Sequence, residues 1–245
     1  MNYKIKFLLF FIVFITVFSV VRILGVDIYK EAHHDLAGIG WLFSIIGLIF
    51  SILSGFLIQH LWDKWERIQK VVLEEINALD HLLMFSASHS DTQEKTYTLI
   101  KEYIGHVIGY EWTSKVKLTE ASGAVLALKD FNEEYVASAH SQQDKTTQTK
   151  LINTLLYVRD RRILLATRRM PYIIKNTFLL STILVIVLSL FVAIESIPLD
   201  FLFTISIASL VFAIYLIVDD MDNVLSPGAW HISSKLYKEF LKKLD

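Results

Sequence analysis

The stretch AGIGWLFSIIGLIFSILSGFLIQ, residues Ala37–Gln59, continues directly into HLWDKWERIQKVVLEEINALDHLLMF, residues His60–Phe85. The first half carries no charged residue, and at about 1.5 Å per helical residue it is long enough to cross a hydrocarbon core of about 30 Å. The second half is amphipathic and contains neither proline nor glycine. The sequence therefore predicts one continuous helix that starts in the bilayer and ends in a water-exposed region.

Small residues recur along the membrane half of this helix at steps of four, three, four and three. This spacing places them on one helical face. Such a face either packs closely against another helix or lines a passage, and the spacing alone leaves both interpretations open. The residues of this small-residue face are Gly40, Ser44, Gly47, Ser51 and Ser54.

Composition defines the class of protein. The chain has 245 residues, of which 53% are hydrophobic, and it contains no cysteine. Disulfides, thiolate catalysis and zinc–thiolate or iron–sulfur sites are therefore excluded. The net charge of −1 offers no argument for nucleic-acid binding. The apolar residues are concentrated in four blocks around a polar middle, which predicts a multi-pass membrane protein.

The four apolar blocks and the polar middle give the predicted organisation of the chain. Residues 1–59 hold the first two spans, residues 60–170 form a helical cytoplasmic region continuous with spans two and three, residues 171–218 hold the last two spans, and residues 219–245 form a cytoplasmic segment with an amphipathic helix. The predicted spans themselves are Phe7–Leu24, Ala37–Gln59, Tyr172–Ala193 and Leu199–Val218.

Lysine and arginine set the expected orientation. They are concentrated on one side of the spans, so the positive-inside rule predicts that both termini and the polar middle are cytoplasmic, in a bacterial inner membrane. The basic residues before the third span are interpreted chiefly as a juxtamembrane anchor, with an anionic-lipid site or a basic vestibule as the alternative. They are Arg161, Arg162, Arg168 and Arg169.

The polar middle shows helical rather than strand periodicity. Beyond Phe85 it predicts helices at Gln93–Trp112, Thr119–His140 and Thr147–Arg169, with Pro171 marking either a new helix or a kink. An apolar stripe near the C-terminus would suit docking onto the bundle or lying on the membrane surface. The expected fold is an all-α membrane protein with four transmembrane helices and a helical cytoplasmic bundle between spans two and three. The stripe consists of Leu236, Tyr237, Phe240, Leu241 and Leu244.

Four stretches, taken in order, resemble the bestrophin-like family of four-span membrane proteins. The resemblance implies a relation in architecture to bestrophins, which are pentameric ion channels whose pore is lined by the second span. One departure is Val224, which stands where the family usually has a proline. The stretches are FLIQHLWDKWERIQKVVLEEINALDHL from Phe56, YIGHVIGYEW from Tyr103, RDRRILLATRRMP from Arg159 and DDMDNVLSPGAWHIS from Asp219.

The resemblance suggests a role for a second row of residues on the second span, beside the small-residue face. Bestrophins gate conduction at a hydrophobic constriction on this span, so the row is a candidate neck if the helix lines a pore; otherwise its members face lipid. We call these residues the isoleucine row: Ile45, Ile49, Ile52 and Phe56.

Two functions remain open on this basis. The first is an oligomeric channel, pentameric by resemblance, for small inorganic ions. The second is a non-conducting scaffold or sensor whose cytoplasmic helices bind a partner. Coupled transport is disfavoured because no ionisable residue lies in the centre of a span, and no arrangement of catalytic residues indicates an enzyme.

Three aspartates, Asp219, Asp220 and Asp222, close the fourth span. Carboxylates at a helix C-terminus oppose the helix dipole, so they require compensation, and Arg168 and Arg169 are the expected partners. A calcium site is the alternative, because bestrophins keep an acidic calcium clasp after the last span and calcium prefers clustered oxygen ligands. Ion pairing is the favoured interpretation, and no cofactor is expected.

The remaining motifs favour structural roles. Glu111 and Trp112, which match the family's EW pair, predict a structural hydrogen bond and a packed indole. His33 and His34 adjoin two acidic residues in a predicted outer loop; metal binding and pH sensing are conceivable there, but neither is the expected role.

Overall fold

The computed structural model describes residues 3–24, 36–88, 90–112, 123–138, 141–192 and 196–244. All regular structure in these ranges is helical, which confirms the all-α prediction. A π-helical turn, Val107–Glu111, directly follows the third helix. The helices are α1 Tyr3–Leu24, α2 Leu36–Ala87, α3 Ser90–His106, α4 Gly123–Ser138, α5 Gln142–Thr167, α6 Tyr172–Ser189, α7 Ile197–Asp222 and α8 Lys235–Lys243.

The predicted continuous helix is confirmed: α2 comprises 52 residues without a break. At about 1.5 Å per residue it is about 78 Å long. Serines in its membrane half do not disturb it, because the hydroxyls of Ser44, Ser51 and Ser54 donate to carbonyl oxygens four residues earlier.

Four helical stretches are long and apolar enough to cross a membrane, in agreement with the four predicted spans. The third span starts as a new helix rather than continuing through a kink, because Pro171 precedes the first residue of α6. Helix α5 ends at Thr167, and proline disfavours the helical conformation of Met170, the residue before it, so the two helices do not join across this segment.

The helix boundaries in the polar middle of the chain were predicted with mixed accuracy. Helix α3 and the π-helical turn together span the predicted Gln93–Trp112 closely. Helix α5 begins at Gln142, five residues before the predicted Thr147. The Ser141 hydroxyl accepts a hydrogen bond from the Asp144 backbone N–H and caps this earlier start.

The chain divides into two compact units. The span unit contains Met1–Trp62 and Arg169–Asp222, and the bundle unit contains Asp63–Arg168 and Asn223–Asp245. Aromatic rings dominate the packing of the span unit: Phe10 stacks on Phe212 with centroids 4.2 Å apart, and Phe50 of α2 stacks on Phe178 of α6 at 5.6 Å.

The bundle unit has a continuous apolar core shared by the second half of α2, α3, α4, α5 and α8. The C-terminal stripe packs into this core, since Tyr237, Phe240 and Leu244 are buried there. Of the two roles predicted for the stripe, docking onto the bundle is the one observed. The indole N–H of Trp65 also donates to the carbonyl of Trp230, which fixes the segment before α8.

Candidate functional site

Helix α2 packs on its own chain through one side only. Phe50, Ser54 and Leu57 are buried in the span unit. The isoleucine row lies outside this contact: Ile45, Ile49 and Ile52 are each more than half exposed and Phe56 is 73% exposed. These four residues form an uncharged apolar strip that no part of the described chain covers.

The small-residue face is also largely open within one copy of the chain. A side chain added at Gly40 or Gly47 would meet no atom within 4 Å. Ser44 and Ser51 are exposed; Ser54 is the member of the face that is buried, at 4% exposure. These glycines therefore do not pack closely against another described helix of the same chain, and both predicted interpretations of the face stay predictions.

The sequence analysis placed the isoleucine row beside the small-residue face, but the two rows are not adjacent. At about 100° per residue, the mean direction of the small-residue face and that of the isoleucine row lie about 150° apart around α2. A single pore axis can face only one of them. This geometry makes the two interpretations of α2 separable by experiment.

Asp219, the first residue of the acidic cluster, pairs with lysines rather than with the predicted arginines. Asp219 accepts hydrogen bonds from the ammonium groups of Lys6 and Lys175, each at 2.9 Å. Lys175 stands in the first turn of α6 and Lys6 near the start of α1, so both helix ends bring a cation to the C-terminal end of α7. These cations compensate a carboxylate at the negative end of the helix dipole.

Asp222 stabilises the start of the third span in a different way. Its carboxylate accepts the backbone N–H of Met170 at 2.8 Å, and its backbone carbonyl accepts a hydrogen bond from Arg169 at 2.9 Å. Arg169 thus reaches the acidic end of α7 and donates to main chain there. For Asp219, the partners are Lys6 and Lys175 and not the expected Arg168 and Arg169.

The calcium alternative finds no support at this site. Both carboxylate oxygens of Asp219 already accept from lysine ammonium groups. Among the residues that the structure describes, no group of three or more His, Asp or Glu side chains is arranged to hold a metal ion. His33 and His34 lie outside the described residues.

The arginine run splits between surface and core, and this corrects the interpretation as a juxtamembrane anchor for the buried Arg162. Arg162 is 2% exposed and lies in the core of the bundle unit. Its guanidinium donates to Glu75 and Glu111, both at 2.7 Å. Arg161, the preceding residue, is exposed and pairs with Glu74 at 3.2 Å. The carbonyl of Arg168 accepts a hydrogen bond from Lys64 at 2.6 Å.

Arg159 completes this buried charge network. Its Nε donates to Glu111 at 2.8 Å, and a terminal nitrogen makes a second bond to the same carboxylate. Tyr103 donates its hydroxyl to Glu75 at 2.6 Å. Two buried carboxylates thus face two buried guanidiniums, and Arg159 also pairs with the exposed Asp160 at 3.0 Å. We call it the buried network: Glu75, Tyr103, Glu111, Arg159 and Arg162.

The electrostatics of the buried network follow from burial and pairing. Burial alone would raise the pKa of Glu111, but its hydrogen bond with Arg159 and the charges of Arg162 and Arg159 outweigh burial and lower the pKa. Burial and the neighbouring Glu75 carboxylate raise the pKa of Tyr103 well above its usual range. Glu111 is therefore ionised and Tyr103 is a neutral donor at neutral pH.

The structural roles expected for Glu111 and Trp112 are confirmed. Glu111 accepts from both arginines, and the Trp112 indole donates to the Ile232 carbonyl at 2.8 Å. The π-helical turn ends at Glu111. Such turns are uncommon and often occur at sites with a special role.

Sequence reasoning missed Glu75, although a signal was present. Glu75 lies on the same helical face as Ile68, Val72 and Leu79, which are all buried. An acidic residue within an apolar row predicts a buried partner of opposite charge. It also missed the ion pair between Arg22 of α1 and Asp200 of α7 in the span unit.

Comparisons with known proteins place this arrangement in a family. A family model described as a Bestrophin-like domain matches residues 7–226. The crystal structure of a bacterial bestrophin homologue from Klebsiella pneumoniae solved by Zn-SAD phasing is 14% identical, with a TM-score of 0.73 over 99% of this chain and 97% of that chain.

A crystal structure of a single-residue mutant of the Klebsiella pneumoniae homologue is 12% identical, with a TM-score of 0.76 over 95% of both chains. At these identities the similarity establishes the fold. No curated protein matches the chain. Because the family model covers nearly all of the described structure, the chain belongs to the Bestrophin-like family.

Proposed function

We propose that this chain forms a homo-oligomeric ion channel, a pentamer by analogy with bestrophins, that conducts small inorganic ions passively through a central pore lined by α2. It would reside in a bacterial inner membrane with both termini in the cytoplasm, as the distribution of lysine and arginine predicts. Family membership supports a channel-related architecture.

The observation that carries the proposal is the uncovered isoleucine row. Along the described membrane half of α2, this side of the helix has no charged residue, and its four members are each more than half exposed. Copies of α2 around an axis would turn the row into rings of Ile and Phe. Such rings exclude water when the gap is narrow and thereby gate conduction by dewetting.

Substitution of the row tests the proposal. Ile49→Ser should widen and wet the constriction and raise ion flux through reconstituted liposomes. Leu210→Ser on α7 is the matched control, because Leu210 is 64% exposed and Ile49 is 56% exposed, both on predicted spans. The control should leave flux unchanged, since its side chain is predicted to face lipid.

Two outcomes would contradict the proposal. If ion flux responds equally to Ile49→Ser and Leu210→Ser, the isoleucine row has no particular role in conduction. Wild-type and Ile49→Ser proteins that are both folded and oligomeric, yet conduct under no ion gradient, would favour the scaffold or sensor function instead.

A further inference from the structure

The bundle unit exposes an apolar ridge on the second half of α2. Its members, Leu73, Asn77, Asp80 and Met84, are spaced four, three and four residues apart, which puts them on one helical face. All four are exposed, Leu73 at 51% and Met84 at 67%. We call this surface the α2 ridge. It presents two apolar side chains at its ends and a carboxylate between them.

The same unit carries an open groove along α5. The groove has a volume of about 860 Å³, and Val136 of α4 contributes to its lining. Lys145 and Lys150 supply positive charge, and Tyr157 contributes an aromatic side chain that is 66% exposed. None of the described residues that line it is acidic. We call this surface the α5 groove.

The ridge and the groove match in length, charge and chemistry. From Leu73 to Met84 the ridge measures about 16 Å, and from Lys145 to Tyr157 the groove measures about 18 Å, at about 1.5 Å per residue. Asp80 at the centre of the ridge is complementary to the two lysines. Met and Tyr are enriched at protein interfaces, and exposed apolar patches with polar rims mark them.

A second copy of the chain fits these observations better than an unrelated protein. Both surfaces belong to the same unit, and both stay exposed in a single copy. Two different complementary surfaces on each copy generate a head-to-tail interface, and a head-to-tail interface closes into a ring when the rotation permits. A ring is the assembly that a central pore requires.

We propose that the α2 ridge of one copy docks into the α5 groove of the next copy. This inference rests on the proposed oligomeric channel and names the surfaces through which its subunits meet. Asp80 lies near Lys145 or Lys150 of the neighbouring copy, and Met84 packs against the apolar part of the groove, with Tyr157 or Val136.

The absence of cysteine from the chain permits a clean cross-linking test. Met84→Cys and Asn153→Cys, each as a single variant of the full chain with a different tag, are co-expressed and oxidised in membranes. We expect a reducible product that carries both tags, because the interface brings the ridge of one copy to the groove of another. Met84→Cys with Leu126→Cys, an exposed residue of α4 in the same unit, is the control and should give none.

The oligomeric state of the same samples separates the two proposals. Light scattering in detergent that shows an oligomer, together with no cross-link above the control, would overturn the ridge–groove interface and leave the proposed channel standing. A monomer would overturn both. A cross-link as strong in the control pair as in the test pair would also overturn the interface.

Charge reversal supplies an independent measurement. Asp80→Lys should raise the protein concentration for half-dissociation of the oligomer severalfold, because it places three cations together. Asp80→Lys combined with Lys150→Asp should restore at least part of this loss. Equal dissociation of the single and double variants would contradict the predicted contact, and binding of an acidic cytoplasmic protein in place of a second copy would do so too.

Discussion

At the residue scale, neighbouring arginines with the same charge serve different purposes. Arg161 and Arg162 differ by about 100° around α5. That rotation takes one guanidinium to the surface and the other into the core beside Glu75 and Glu111. A buried charge costs several kcal/mol to desolvate unless it is paired and hydrogen-bonded. The buried network meets that condition with two carboxylates for two arginines.

Arg162→Met should therefore destabilise the protein by about 3–5 kcal/mol, because it leaves buried carboxylates without a cation. Arg161→Met is the matched control and should cost less than about 1 kcal/mol, since its ion pair with Glu74 is exposed. Denaturant unfolding of the purified protein, followed by tryptophan fluorescence, measures both. Equal losses for the two variants would contradict the assignment of the buried network.

The lowered pKa of Glu111 predicts a pH dependence. A carboxyl whose pKa is lower in the folded state stabilises the fold fully above its ordinary value of 4.5, and this stabilisation is lost as the pH falls through the folded pKa. The melting temperature of the wild type should exceed that of Glu111→Gln at neutral pH. The gap should narrow below about pH 4.5; a constant gap down to pH 3 would show that ionisation of Glu111 does not matter.

The acidic end of α7 gives a second charge prediction. Asp219→Lys should lower stability, because it places a third ammonium group beside Lys6 and Lys175. Asp219→Lys with Lys175→Asp should recover part of the loss, by about 1 kcal/mol, since these side chains are partly exposed. Thermal melting that is identical for the single and double variants would contradict this pairing.

At the element scale, α2 was the most predictable part of the chain. Neither proline nor glycine interrupts it after Gly55, and its membrane half has no charge to end the span. The start of α5 was missed because residues around Ser141 are polar and show no apolar periodicity. Its first residue depends on a local cap, the hydrogen bond from the Asp144 backbone N–H to the Ser141 hydroxyl, and apolar periodicity does not reveal such a cap.

Partners were harder to predict than elements. Sequence spacing assigned Glu111 and Trp112 a structural role, but it could not say that Glu111 meets Arg159 and Arg162, about 50 residues away. Such pairings depend on how separate helices pack. For the same reason, the partners of Asp219 were not predicted. They are Lys6 of α1 and Lys175 of α6, and not the arginines that were expected at the same membrane level.

The openness of the small-residue face leads to a prediction about α2 as an element. Gly47→Leu fits within a single copy, where an added Cβ at Gly47 meets no atom within 4 Å. If the face packs against a neighbouring copy, the larger side chain should weaken the oligomer, since overpacking typically costs about 1–3 kcal/mol. Light scattering in detergent measures the effect, which we expect to be loss of the oligomer.

Gly105→Leu on α3 controls for bulk alone, because Gly105 is equally open within one copy. It should leave the oligomer intact. An intact oligomer of Gly47→Leu with altered conductance would instead put the small-residue face on the pore.

At the scale of the whole molecule, the proposed channel combines the Bestrophin-like fold with one orientation of α2. Family membership and the bestrophin fold of the chain support an assembly of several copies. In the proposed channel the isoleucine row faces the conduction path, and the small-residue face, about 150° away around the helix, faces elsewhere. The central claim is this orientation, because the neck, the gating and the effect of each substitution depend on it.

Cysteine accessibility in single-channel recordings tests the orientation most directly. The chain has no cysteine of its own, so a charged thiol reagent acts only at the residue introduced. The account predicts that the reagent reduces or blocks the current of Ile52→Cys channels and leaves the current of Gly47→Cys channels unchanged. Block at Gly47→Cys with no effect at Ile52→Cys would contradict it.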